Sequence, residues 1–452
     1  MKAYKSAAIR SGKMVHIGTN SPPEPPDLTV IQVGGYGMLY NWFCTQQQPS
    51  VEYGYLYNWF AATDSRNICS SGWHVPTRTK IDTLISYLST NIGGKLKEIG
   101  LSHWDSPNTG ATNEVGFNAR GNGNRLDNGS FSAIKSNAYF WTSTSYSPTL
   151  KSFLSLTRLN GNATQSYTAP NYGMAIHPIK DSTTLTHGET GIYIDPSGII
   201  YPTICIGTQE WVTCNIMTKH YRDGSAIPEV IDNTAWTALT TGARCSYNNT
   251  ESNAGSTKKL SSSDSFIVPK ESNIRSLLDF IDTVDPDDNY YWALAGGLLK
   301  ETGTVRWNSP NIGAINSYGF SAIGAGFRFS DFSGLKNKFK CWTSSMYTVG
   351  IYYEMDNDSE WVYIDWHEFT VGASIRLCNP TTSHPDNYVG SYTQNDGVII
   401  STIVINGVEW TMNLKETKWS DGTDIQNVTD NTAWAALTSA ACCDVDNDPT
   451  KR

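Results

Sequence analysis

The chain has 452 residues, a net charge of −9, 17% charged residues and 12% aromatic residues, with 15 Trp and 24 Tyr. That length is too great for one compact core, and the aromatic content excludes a disordered chain. An acidic balance without a basic stripe argues against a nucleic-acid partner; the short run Lys336, Lys338, Lys340 reads as the solvated face of a strand.

The first twenty residues, MKAYKSAAIRSGKMVHIGTN, contain no apolar leader, and no run of 18 apolar residues occurs in the chain. The expectation is synthesis in a cytoplasm without Sec export and no helix spanning a membrane. A Pro-rich stretch, SPPEPP, precedes YGMLYNWF (36–43), which nearly duplicates YGYLYNWF (53–60). Residues 1–52 therefore read as an N-terminal anchor or linker outside the repeats that follow.

From residue 53 the chain repeats itself. GGKLKEIGLSHWDSPNTGATNEVGF (93–117) and GGLLKETGTVRWNSPNIGAINSYGF (296–320) share 15 of 25 positions without a gap. Upstream, Ile81, Leu84, Ile85 and Leu88 correspond to Ile274, Leu277, Leu278 and Ile281, and this spacing gives one apolar helical face. Pro76 and Pro269 stand just before each helix, where a missing N–H costs little. The second copy carries ten extra residues after this helix, around DPDDNYYWA, which read as a surface loop. Downstream, FWTSTSY (140–146) matches CWTSSMY (341–347), and Arg125 matches Arg328. The copies then diverge into strand pairs, one turning at Asn160-Gly161 and the other at an Asp-Asn-Asp-Ser turn.

A second repeat lies between and after these bodies. Residues 198–224 match 397–422, and both run on into DNTAW, at Asp232–Trp236 and Asp430–Trp434. Each reads as a hairpin followed by a short helix capped by Asp. The order is body (53–181), front (190–250), body (251–379), front (388–452). The expected grouping is a first body at 53–181, a complete module at 182–379, and a C-terminal half module at 380–452. A bare front is marginal alone, so residues 388–452 are expected to dock onto a body of this chain, onto another chain, or onto another protein of an assembly.

The matching stretches IGTQEWVTCNI, RDGSAIP, DNTAW, YGYLYNWFAA, CSSGWHVPT, GGKLKE, WDSPNTGATNEVGF and FWTSTS resemble the Fibrobacter succinogenes major paralogous domain family. That resemblance covers nearly all of residues 53–452. It implies an α+β architecture of repeated C-type-lectin-like modules, rich in strands and loops with short helices. Family members often carry a Cys in the closing strand; here copy one has Pro178 at that place, copy two has Cys378 one residue late, and Cys69 lacks a counterpart. With an odd count, no CxxC and no export signal, the nine cysteines read as reduced and mostly structural.

A search for chemistry turns up no GxSxG elbow, HExxH or phosphate loop. Glu98 and Glu301 read as structural ion pairs, WDSPN and WNSPN as side-chain caps of a loop, and Asp356, Asp358 and Glu360 as a solvated turn. The C-type-lectin-like resemblance also implies kinship with formylglycine-generating oxidases, which need paired active-site cysteines, whereas Cys341 and Cys378 lie in unlike contexts. The chain is read as non-enzymatic, with no cofactor and no metal. Trp104/Trp307, Phe117/Phe320 and Trp141/Trp342 read as shared core. Tyr347, Tyr352, Tyr353, Trp361, Tyr363 and Trp366 crowd into twenty residues, with Tyr146, Tyr167 and Tyr172 as the counterparts in copy one. Strand alternation cannot bury them all, and rigid aromatics suit sugar rings and protein surfaces; these nine are the expected ligand-binding residues. The expected function is a phage virion surface protein (fibre, head decoration or receptor-binding component), homo-oligomeric, held to other virion proteins through 1–52 and 388–452, and contacting host glycan or protein. A bacterial surface adhesin or polysaccharide-binding protein is the alternative.

Overall fold

The computed structural model describes residues 35–282, 284–285 and 288–452. The architecture is mixed α+β and mostly β. Each body holds an amphipathic helix, Arg78–Leu88 or Glu271–Ile281, packed against three antiparallel strands. In copy one these are Asn137–Ser145, Lys151–Thr157 and Ala163–Thr168; in copy two, Lys338–Met346, Gly350–Asp356 and Val362–His367. The predicted apolar faces are the ones used: Ile81, Leu84 and Leu88 are buried in one copy, Ile274, Leu277 and Leu278 in the other. Thr77 caps the first helix at the Lys80 amide. Asp232 and Asp430 cap the short helices of the fronts at Ala235 and Ala433, each at 2.7 Å.

The copies share their buried polar framework as well as their element order. Lys97 Nζ donates to the carbonyls of Thr109, Thr157 and Asn160, and Lys300 Nζ to those of Ile312, Asp356 and Ser359, all within 3.0 Å. Burial lowers both lysine pKa values to about 8. Arg125 reaches Val230, Ile231 and Asn233 and lies over Trp236; Arg328 reaches Val428, Thr429 and Asn431 and lies over Trp434. These arginines join body to front, and they show which front belongs to which body.

That pairing corrects the expected grouping. Front 190–250 packs on the body before it: Gln209–Val212 pairs with Ile179–Lys180, and Ile179–Lys180 pairs with Trp73–His74. Front 388–452 likewise packs on body 251–379, with Val408–Thr411 alongside Cys378–Asn379. The last front is therefore docked within its own chain rather than left for a partner. In a tandem repeat, front–body and body–front read identically in sequence, and strand pairing together with the reach of Arg125 and Arg328 separates them.

The expected anchor 1–52 is also corrected in its described part, residues 35–52; residues 1–34 lie outside the described residues. Strand Met38–Tyr40 pairs with Cys442–Asp444, just as Leu56–Tyr57 pairs with Arg244–Cys245. The YGMLYNWF segment thus does for copy two what YGYLYNWF does for copy one. Trp141 Nε1 donates to Tyr57 O at 2.7 Å, and Trp342 Nε1 to Tyr40 O at 3.0 Å. Copy one (53–254) is accordingly nested inside copy two (36–51 with 255–452). The two crossing points, Gln48–Val51 and Gly255–Lys258, pair as an antiparallel neck. The outer face of the first front, at Ile192, Ile194 and Ile200, packs into the core of copy two beside Leu260 and Phe266.

The ten-residue insertion is a hairpin rather than a loop. Val284–Asp285 and Asp288–Trp292 pair with each other and extend the sheet at Val362–His367. Buried Trp292 holds it, with Nε1 donating to Asp279.

A chain ending at residue 385 is expected to lose the fold of copy two, because its body then exposes Ile375 and Leu377 and lacks the partner of Met38–Tyr40. Hydrogen exchange checks this: protection should vanish across 266–379 and persist across 53–254. A second outcome concerns His177, stacked on Phe117 at 4.5 Å and wholly buried, which pushes its pKa down from 6.5 to about 3. The unfolded chain takes up a proton that the folded chain refuses. This contribution to stability is complete above pH 6.5 and is lost on acidification, at about 1.4 kcal/mol per pH unit down to the folded pKa. Denaturant unfolding of His177→Gln between pH 7 and 4 should give a flatter profile than the parent.

Candidate functional site: an aromatic pair at the sheet end of each copy

Burial sorts the nine expected ligand-binding residues. Tyr352 and Tyr353 are excluded, with 3% and 1% of their surface exposed. They are neighbours on one strand and point to opposite faces, but the sheet is covered on both sides. Tyr353 packs beneath the helix, and Tyr352 packs with Trp42 and Trp342. The Tyr352 hydroxyl accepts from Lys340 and donates to Asp365. Trp361 and Tyr363 are half-buried against the inserted hairpin, Trp361 near Tyr291 and Tyr363 opposite it in register. Tyr172 packs partly buried on the core of copy one.

Four of the nine remain, and they coincide between copies. Tyr146 and Tyr347 follow the first sheet strand at matching places. Tyr167 lies opposite Ser152, and Trp366 opposite Ile351, which are equivalent rungs. Tyr146 is 64% exposed, Tyr347 57% and Trp366 45%, and Tyr167 is half-buried. In copy one, Tyr146 and Tyr167 are 4.2 Å apart between ring centres, and the Arg78 guanidinium lies 5.0 Å from the Tyr167 ring. In copy two, Trp366 meets Tyr290 edge-on at 5.8 Å, and Arg275 lies 4.7 Å from the Tyr290 ring. The Tyr347 hydroxyl donates to Tyr290, and that bond, followed by the charge of Glu271, raises the Tyr347 pKa.

Helix entry positions the cations. The Arg78 amide donates to Thr144 Oγ1, and the amide of its counterpart Glu271 donates to Ser345 Oγ, both at 2.9 Å. Copy two thus has a carboxylate where copy one has a guanidinium, and it takes its cation from Arg275 one turn later. Arg275 is neutralised by Glu271 at 2.7 Å and also donates to Asn289 O. Arg78, Arg275 and Tyr290 were not among the expected site residues. Arg78 carried no repeat signal, because its counterpart is Glu271, and Tyr290 lies in the insertion.

The other chemical candidates fall into structural places. Glu98 pairs with Arg120 at 3.0 Å, and Glu301 pairs with Arg306. Asn108 and Asn311 each cap two carbonyls of their loop, as expected for WDSPN and WNSPN. Asp356 is half-buried and paired with Lys338 rather than fully solvated. Cys341 and Cys378 are core residues whose thiols burial pushes up to about 11 and about 12. Among the described residues no group of three His, Cys, Asp or Glu side chains is placed to hold a metal ion, and no helix is long and apolar enough to cross a membrane.

Residues 32–180 match the Fibrobacter succinogenes major domain. The span that matches the Fibrobacter succinogenes major domain starts just before the segment that closes copy two and ends on the last strand of body one, so it crosses the neck between the copies. No curated protein and no solved structure matches the chain.

The assignment of Tyr352 to core and Trp366 to surface is open to measurement. Tyr352→Ala should cost about 3–5 kcal/mol of stability, and Trp366→Ala less than about 1 kcal/mol. Chemical denaturation of the two variants compares them directly.

Proposed function

We propose that the chain is a non-enzymatic recognition protein that displays two C-type-lectin-like modules, each offering an aromatic platform to a surface glycan. The observation that carries this reading is the recurrence of aromatic rings at matching places of two otherwise divergent strand pairs: exposed Tyr146 and Tyr347 follow the first strand, and half-buried Tyr167 and exposed Trp366 share an equivalent rung. Core aromatics recur because packing demands them. Exposed rings gain little from burial, and their recurrence fits a ligand that supplies the missing contact. Two platforms on one chain bind a repetitive surface with avidity, so weak single sites suffice. The proposed setting is the surface of a phage particle facing its host.

Binding of the full chain to a glycan array, and to host cells, tests the reading. Replacing Tyr146, Tyr167, Tyr347 and Trp366 together with Ala should abolish binding while the melting temperature holds. Changing the pair in one copy should weaken binding to a multivalent surface by roughly 10²-fold. Unchanged binding after all four replacements overturns the proposal. Mass spectrometry of purified particles tests the setting, and absence of the chain from them removes it.

A further inference from the structure

The two platforms differ in one chemical respect. Arg275 is spent on Glu271 and a carbonyl. Arg78 is not: its guanidinium makes no hydrogen bond or ion pair with any described residue, and its Nη1 is buried without an acceptor. A buried charged donor left unpaired is costly. Here it lies over the ring of Tyr167, itself stacked on the exposed Tyr146. Gln165, two residues before Tyr167 and on the same strand face, gives its Nε2 to Asp82 at 2.6 Å and leaves its Oε1 buried without a donor. The rim of this platform therefore offers an unmatched cationic donor and an unmatched neutral acceptor.

We infer that the copy-one platform selects an acidic sugar, a pyranose bearing a carboxylate, whereas the copy-two platform does not discriminate by charge. The carboxylate accepts from the Arg78 fork, for which guanidinium geometry is suited. A ring hydroxyl donates to Gln165 Oε1, and the apolar face of the sugar lies on Tyr146. Two rings and one guanidinium match the footprint of one or two sugar units and fall far short of the ~800 Å² per partner that a stable protein interface buries, which favours a glycan over a polypeptide carboxylate. The inference rests on the platform reading above and adds to it the charge of the ligand.

The experiment is calorimetric titration of the full chain with tri-galacturonic acid, its methyl ester and sialyllactose. Either acidic probe should bind the copy-one site, and the ester of the first should bind that site at least roughly tenfold more weakly, while both bind copy two alike. Arg78→Gln should remove the preference for acid, and Arg78→Lys should keep part of it. Preference for the acid should also fall as salt is raised. Equal affinity for acid and ester, or a preference that survives Arg78→Gln, overturns the inference while leaving an aromatic glycan platform standing. Failure of both acidic probes where neutral glycans bind through Tyr146 and Tyr167 overturns it too. Loss of all glycan binding, acidic and neutral, overturns both readings. Should Arg78→Gln melt early, Gln165→Leu serves as the second variant; it should weaken acid and ester alike and preserve their ratio, and a collapse of the ratio counts against the assignment of charge selection to Arg78.

Discussion

Each copy is completed by one short segment, Tyr57-Asn58-Trp59 or Tyr40-Asn41-Trp42, threaded between its body and its front. The backbone of the segment accepts the indole N–H of the body tryptophan, its Asn holds the front, and its Trp donates back to the sheet at Thr142 or Thr343. In copy one the segment directly precedes its body. In copy two it is separated from its body by the whole of copy one. Copy two therefore closes only when the two ends of the described chain meet, at Met38–Tyr40 and Cys442–Asp444. Loop closure over such a separation costs little more than over a shorter one, and a folded copy one reduces it further. Its two ends already lie side by side in the neck of Gln48–Val51 and Gly255–Lys258.

Repetition made much of this legible in the sequence. Ungapped identity located both bodies, the helical faces, the caps at Asp232 and Asp430, and the strand pairs that follow Trp141 and Trp342. What it left open was adjacency, because an alternating series of bodies and fronts has no intrinsic phase. The phase was nevertheless recorded in the number of parts. There are two Tyr-Asn-Trp segments, two bodies and two fronts, so a first segment set aside as an anchor and a last front left without a body are complementary leftovers of one module. Sequence distance obscured that match. Strand pairing is indifferent to such distance once the intervening chain is folded.

The candidate site was legible in part. Counting aromatics against strand alternation required some of the nine to be exposed; Tyr146, Tyr347 and Trp366 are, and Tyr167 is half-buried. It misplaced Tyr352 and Tyr353 because it assumed a sheet with one open face, whereas Trp42 and Phe43 cover the second face from the far end of the chain. The inserted residues were read as a loop because they have no counterpart. Yet Tyr290, Tyr291 and Trp292 are strand formers, and an exposed sheet edge accepts a further hairpin.

The contrast between the copies separates positions that folding fixes from positions that folding leaves free. Lys97 and Lys300, and likewise Arg125 and Arg328, reach carbonyls at matching places because each ties several main-chain groups together, and losing the cation would remove a donor from each of them. The platform rim is under no such constraint. Arg78 and Glu271 occupy the same helix-entry position with the same backbone bond to Thr144 or Ser345, so the charge there can invert without disturbing the helix. Tyr167 can become Trp366 because its rung lies at the end of the sheet, where a larger ring meets solvent rather than core. Specificity can therefore change at these positions at little cost in stability. The unpaired Arg78 guanidinium is the exception, because it remains costly in the free protein. Under the proposed recognition of an acidic sugar, an anionic group docking beside Tyr167 would remove that cost.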